Sequence, residues 1–236
     1  MKNPSELVVK PQTGAPTTAL VYGAGHREHS DAESDTAGAL ILAHGAGAGQ
    51  RSAFMVDFAS ALSALGIDVV TFNFPYIEQG RKIPDRAPVL EACYRAVILA
   101  CRAELVSARQ RLCIGGKSMG GRIATQVAAA DASLPVAGLV LLGYPLHPPG
   151  RPDEKRDKHL PAVGRPMLFV QGTRDAFGTP DELTRVVQGL RPAPTLDPVP
   201  QGDHSFKLPR KDPTAQAAVY TAVQRAIAVW IRALAP

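Results

Sequence analysis

The stretch CIGGKSMGGR, residues 113–122, sets a serine among glycines and behind a lysine, and its reading decides the fold. Taken from its Gly-Lys-Ser, it has the ending of a phosphate-binding loop. Taken from Gly116 to Gly120, it is G-x-S-x-G, the sharp turn that exposes a nucleophilic serine between a strand and a helix. A phosphate loop requires G-x-x-x-x-G-K-[ST]. Counting back from Gly116, the first glycine position holds Arg111, and the intervening Leu112, Cys113 and Ile114 read as strand rather than flexible loop. Backbone amides cannot wrap a phosphate there. The elbow reading keeps its parts: RLCI supplies the strand and residues 119–130 supply the helix. Glycines two before and two after the serine allow strand and helix to pass where a β-carbon would collide.

Working outward, short β-rich apolar runs alternate with longer helical patterns. Strands are expected at 18–22, 39–43, 68–73, 112–114, 137–142, 167–171 and 195–199. Helices are expected at 53–65, at 89–105 with Val89, Cys93, Ala96, Val97 and Ala100 on its apolar face, at 118–130 and at 181–190. A final helix places Val219, Tyr220, Val223, Ile227, Trp230, Ile231 and Leu234 on one side. The alternation predicts an α/β fold, a mostly parallel sheet with helices on both faces, formed by residues 1–236 as one domain. In such sheets ligands meet the loops at the carboxyl ends of strands.

Those loops carry the reactive residues. Serine is a weak nucleophile at neutral pH and needs a base held by an acid. After an elbow the chain order is Ser, then Asp or Glu, then His, each following a strand. The strand at 167–171 leads into Gly172-Thr173-Arg174-Asp175, and the strand at 195–199 leads into Pro200-Gln201-Gly202-Asp203-His204. Ser118, Asp175 and His204 are therefore the expected nucleophile, acid and base. His26, His29, His147 and His159 fall in polar loops, poor places for a base, and Asp203 is too close in the chain to orient the ring beside it.

The glycines after the strand ALILA, Gly45-Ala46-Gly47-Ala48-Gly49, do not complete G-x-G-x-x-G, because Gln50 or Ser52 stands at the last position. Their expected role is an oxyanion hole, in which the amides of Met119 and Ala46, with Gly47 as the neighbouring candidate, face the reacting carbonyl. His44 is expected to shape the turn. Phe74 and Tyr76, just after the strand at 68–73, are expected to line the substrate pocket or to pack in the loop. Lys117 and Arg122 flank the elbow as exposed helix-end charges or salt-bridge partners, or as attractors of an anionic substrate.

Composition limits the alternatives. An apolar fraction of 45% and a charged fraction of 20% over 236 residues are those of a globular protein able to bury a core without disulfides or metals. The net charge is +5, with its basic residues dispersed, which argues against a nucleic-acid partner. The three cysteines, Cys93, Cys101 and Cys113, lack C-x-x-C spacing and fall at apolar positions, so they are expected as small core residues in a reducing compartment. No apolar run approaches the roughly eighteen residues of a membrane span, and the first residues lack a signal-peptide pattern. A cytoplasmic protein with no membrane partner and no cofactor is the expectation.

With HGAGAG, NFPY, GKSMGG, GTRD and GDHSF in this order, spanning residues 39–206, the sequence resembles the α/β-hydrolase superfamily. Within it the resemblance is to the small, capless, dienelactone-hydrolase-like branch. It is similar above all to a group containing testis-expressed hydrolase-like proteins and a hydrolase-like subunit of a histone-acetyltransferase complex, which share GKSMGGR and YPLHPPG. Dienelactone hydrolase carries a cysteine nucleophile where this chain has Ser118, so its lactone substrate does not transfer. Large caps in the superfamily follow the strand that here ends near Leu142. The segment from Gly143 to Arg165 is short, proline-rich and of mixed charge, too little for a packed lid. It leaves His147, Arg151 and His159 as a polar rim or a solvated loop. The resemblance implies a serine hydrolase of small esters or thioesters. The alternatives are an acyltransferase using the same residues and a non-catalytic interaction protein on the same scaffold.

Overall fold

The computed structural model describes residues 3–11, 16–24 and 37–234, and His26 and His29 lie outside them. Among the described residues, eight strands form one sheet in the order β1 (Ser5–Val9), β2 (Thr17–Tyr22), β4 (Asp68–Phe72), β3 (Ala39–Ala43), β5 (Leu112–Lys117), β6 (Gly138–Leu142), β7 (Met167–Gly172) and β8 (Thr195–Val199). β2 runs antiparallel to β1 and β4, and every pairing from β4 to β8 is parallel. Seven α-helices connect or cover the described strands: α1 (Ala53–Ala64), α2 (Pro75–Glu78), α3 (Ala87–Glu104), α4 (Val106–Gln110), α5 (Met119–Ala130), α6 (Pro180–Val187) and α7 (Pro213–Ala233).

The period of two along each strand divides the core. Ile41, Ile114, Leu141 and Phe169 face the layer of α3, α5 and α6, while Leu40, Leu42, Cys113, Val140 and Val170 face α1 and α7. Burial on both faces is why the central strands read as continuous apolar runs. β3 is the point where the chain changes direction across the sheet, with β4 on one side and β5 on the other. Loops leaving β3 and β5 therefore start side by side, with Ala43 paired to Gly116.

Some elements differ from the sequence expectation. β1 lies at the sheet edge with most of SELVV exposed, so it lacks the alternation that would announce it. α3 buries Leu90, Cys93, Tyr94, Val97, Ile98 and Cys101 and leaves Val89 46% exposed, a face centred on bulkier side chains than the expected one. β5 continues through Gly115 and Gly116 to Lys117, where a run of glycines looked like the turn itself. A β-carbon on Gly115 would overlap the carbonyl oxygen of Val140, so glycine is what lets these two strands pair. Pro198 sits in β8, an edge strand where its missing N–H costs nothing. The three cysteines are buried and unbridged.

Candidate active site

The elbow forms as its glycines require. Ser118 sits between β5 and α5 with φ 52° and ψ −116°, a conformation rare for a residue with a side chain. Strain of this kind persists where the surroundings fix it. The Ser118 amide donates to Leu142 O at 2.9 Å and its carbonyl accepts from the Arg122 amide at 3.1 Å. A β-carbon at Gly116 would lie 2.5 Å from Ala43 O, and one at Gly120 would lie 2.7 Å from His44 O. The hydroxyl of Tyr94 wedges beneath the turn, donating to Gly115 O at 2.6 Å and accepting from Gly115 N at 2.9 Å.

Three separate loops bring Ser118, His204 and Asp175 into one hydrogen-bonded chain. His204 Nε2 lies 2.8 Å from Ser118 Oγ, and His204 Nδ1 lies 2.8 Å from Asp175 Oδ2. The carboxylate at Nδ1 fixes the proton there, which leaves Nε2 as the acceptor for the serine hydroxyl. Asp175 is held in turn: Phe177 N donates to Oδ1 at 2.8 Å and Gln171 Nε2 to Oδ2 at 2.7 Å. Gln171, fully buried at the end of β7, also accepts from Tyr144 N at 2.8 Å. Its only sequence signal is a glutamine inside the apolar run MLFVQG. Asp203, by contrast, accepts from Ser205 N and Lys207 N at 2.7 and 2.9 Å and does not orient the ring.

The loop after β3 lies against the elbow. Among the described residues, the amides of Ala46, Gly47 and Met119 donate no hydrogen bond. His44 is buried beneath this loop, with Nδ1 donating to Gly45 O at 2.7 Å and Nε2 accepting from Phe74 N at 3.1 Å. Burial pushes its pKa down to about 4, so the ring is a neutral brace. The expectation that Phe74 and Tyr76 line the pocket does not match their positions. Both are fully buried outside the cavity wall, where Phe74 packs edge-on against His44 at 5.1 Å. The Tyr76 hydroxyl donates to Ala46 O at 2.9 Å. The FPY segment folds into the single turn α2 and serves the loop from behind.

A cavity of about 610 Å³ opens over Ser118. Lys117 lines it but is neither an exposed helix-end charge nor part of an ion pair among the described residues: it is 8% exposed and donates to His204 O at 2.6 Å. Burial pushes its pKa down to about 8, against the attraction of Asp175 and Asp203. The segment between β6 and β7 contributes Pro145 and Arg156 to the wall. Of the three residues read as a polar rim or a solvated loop, none lines the cavity. His147 is buried 3.3 Å from Glu182 Oε1, Arg151 is exposed beside Glu154, and His159 Nε2 lies 2.8 Å from Thr125 Oγ1. Arg156 had no sequence signal within its mixed-charge run. Phe177, which packs against His204 at 4.2 Å between ring centres, had none either.

The likeness to known proteins agrees with this architecture. Among solved structures, the fold is similar to a lidless α/β serine hydrolase from Xanthomonas campestris (22% identity, TM-score 0.73, covering 100% of this chain and 98% of that one). It is also similar to dienelactone hydrolase from Anabaena variabilis (18%, TM-score 0.75, 100% of both chains). Est1E from Butyrivibrio proteoclasticus, solved with ferulic acid bound, is similar at 14% identity and TM-score 0.68, covering 94% of this chain and 99% of that one. No helix of the described residues is long and apolar enough to cross a membrane. Residues 36–232 match the family described as alpha/beta hydrolase domain, and the chain belongs to that family.

Proposed function

We propose that this α/β hydrolase is a serine hydrolase of small ester or thioester substrates, working in the cytoplasm. The observation that carries the reading is the unbroken chain Ser118–His204–Asp175 with both links at 2.8 Å. Ser118 Oγ attacks the substrate carbonyl while His204 Nε2 takes its proton, and Asp175 stabilises the imidazolium through Nδ1. The amides of Met119 and Ala46, with Gly47 beside them, receive the oxyanion. Losing one such donor typically costs about 3 kcal/mol of barrier. Protonated His204 then passes its proton to the leaving oxygen or sulfur. Water, deprotonated by the same nitrogen, releases the acyl group and restores Ser118.

The lidless serine hydrolase from Xanthomonas campestris and Est1E support this reading as relatives in fold. The affiliation with the testis-expressed group rests on GKSMGGR and YPLHPPG and adds no substrate. A scaffold retained only for interactions has no need of a strained serine, a fixed tautomer and a buried acid in hydrogen-bond register. The decisive experiment is labelling with a fluorophosphonate probe alongside a panel of nitrophenyl esters. Wild type labels and turns over esters, and Ser118→Ala does neither. An unlabelled wild type, or equal labelling of Ser118→Ala, overturns the reading.

A further inference from the structure

Two guanidinium groups share the cavity wall beside the elbow. Arg122 stands one helical turn beyond Ser118 on α5, its amide bonded to the serine carbonyl. Arg156 comes from the segment between β6 and β7, and its backbone is tied at both polar atoms. Its amide donates to Leu146 O at 2.7 Å, and its carbonyl accepts from the hydroxyl of fully buried Tyr144 at 2.7 Å. The amide of Tyr144 donates to Gln171, the residue that also holds Asp175. Arg156 is thus built onto the same frame as the reacting residues.

Neither arginine has a carboxylate within ion-pair distance among the described residues. Arg122 Nε is buried with no hydrogen-bond partner. Of the nearby acids, Glu91 meets Arg95 at 3.5 Å, and Asp85, also on the cavity wall, meets Arg81 at 2.6 Å through Oδ1 and leaves Oδ2 buried without a partner. Holding two like charges together, partly desolvated and without a counter-ion, is unfavourable unless a ligand supplies one. Guanidinium forks match the planar oxygens of a carboxylate or the oxygens of a phosphate.

We propose that the cavity recognises its ester or thioester through an anionic group, a carboxylate or phosphate, held between Arg122 and Arg156. The proposal rests on the serine-hydrolase reading and adds the substrate class. Burial first, and the Arg156 charge after it, hold the Arg122 guanidinium below its ordinary pKa, the direction expected of a site waiting for negative charge.

The test compares kcat/KM within each protein, so that general losses cancel. The substrates are para-nitrophenyl pentanoate, its carboxylate-ended counterpart para-nitrophenyl hydrogen glutarate, the matching phosphonate-ended ester, and the acetyl ester of a carboxy-nitrophenol against that of nitrophenol. These arms separate carboxylate from phosphate and acyl side from alcohol side. At least one anionic arm is expected to exceed its neutral match about ten- to a hundredfold in wild type. The ratio is expected to fall toward one in both Arg122→Gln and Arg156→Gln. As a readout independent of turnover, glutarate or phosphonobutyrate should raise the melting temperature of Ser118→Ala, and the rise should vanish when either arginine change is added. Absence of any anionic preference and of any thermal shift overturns the anion site, as does a preference that survives both changes. If wild type fails to label with fluorophosphonate yet the arginine-dependent thermal shift is present, the hydrolase reading falls and the anion site stands.

Discussion

The Nζ of Lys117 donates to the main-chain carbonyl oxygen of His204 across 2.6 Å, so the residue before Ser118 holds the loop that carries the His204 imidazole. Gly143 makes room for this contact, since a β-carbon there would lie 2.7 Å from His204 O and 3.0 Å from Lys117 Nζ. Lys117→Met keeps the stem and removes the donor. We expect kcat to fall about tenfold with a smaller change in KM, because the imidazole loses its fixed position rather than the substrate its contacts. Stability should move the other way. An ammonium whose pKa is pushed down to about 8 is buried at a cost near neutral pH, so the methionine variant should melt no lower than wild type. A melting temperature that falls in step with kcat would mean that Lys117 only supports the fold.

The glycines of the site divide into two kinds. A β-carbon at Gly120 would overlap Ala43 O and lie 2.7 Å from both Ala43 C and His44 O, all backbone atoms that cannot swing aside. At Gly47 nothing lies within 4 Å. Gly120→Ala is expected to lose about 3 kcal/mol or more in urea unfolding, at or beyond the upper end of ordinary overpacking. Gly47→Ala should stay within about 0.5 kcal/mol of wild type. Equal stability of the two variants would contradict the packing described for the elbow.

This contrast also marks what the sequence could reveal. That Ser118, Asp175 and His204 would meet was legible because the expected chemistry constrains order and strand-end position, and the glycines at 116 and 120 were legible because strand and helix cross there. The parallel core was legible from β3 to β7 because burial on both faces writes itself as apolar runs. Elements at the margin were not. β1 is exposed on most of its length, and α2 and α4 are too short for periodicity to register. Partners that act through a buried polar atom were also hidden. Gln171 and Tyr94 carry no sequence signal of these contacts, and only three-dimensional contact shows which carbonyl, amide or carboxylate each one meets. Tyr76 shows the consequence: a position read either as pocket wall or as loop packing holds the loop after β3 from behind.

Tyr76→Phe tests that support. The change removes only the hydroxyl, and with it the 2.9 Å bond to Ala46 O. Leaving that carbonyl without its partner should cost about 1 kcal/mol of stability. If the bond also sets the direction of the Ala46 amide, kcat should drop several-fold while KM changes little, since an oxyanion donor acts in the transition state. Stopped-assay kinetics and urea melts on the same preparation separate the two effects. A stability loss without a change in kcat would confine Tyr76 to packing.

His44 gives the structure a dependence on acid that its carboxylates do not explain. Its pKa is about 4 in the folded protein against 6.5 for the free ring, chiefly because the buried ring cannot be solvated as a cation. Between these values the unfolded chain binds a proton that the folded protein refuses. Stability linked to His44 is therefore fully present above pH 6.5 and is lost as the pH falls toward 4. At about 1.4 kcal/mol per pH unit, the loss is on the order of 3 kcal/mol. Below that range protonation also removes the acceptor for Phe74 N, which sits 3.1 Å from Nε2. His44→Gln supplies a non-titrating acceptor in the same place, so it should be less stable than wild type at pH 7 and close the gap by pH 4. Urea unfolding of both proteins across this range measures the difference directly, with the effect of the shared carboxylates cancelling. A gap that stays constant with pH would show that the ring accepts its proton in the folded state, and that the turn after β3 is not braced by a neutral imidazole.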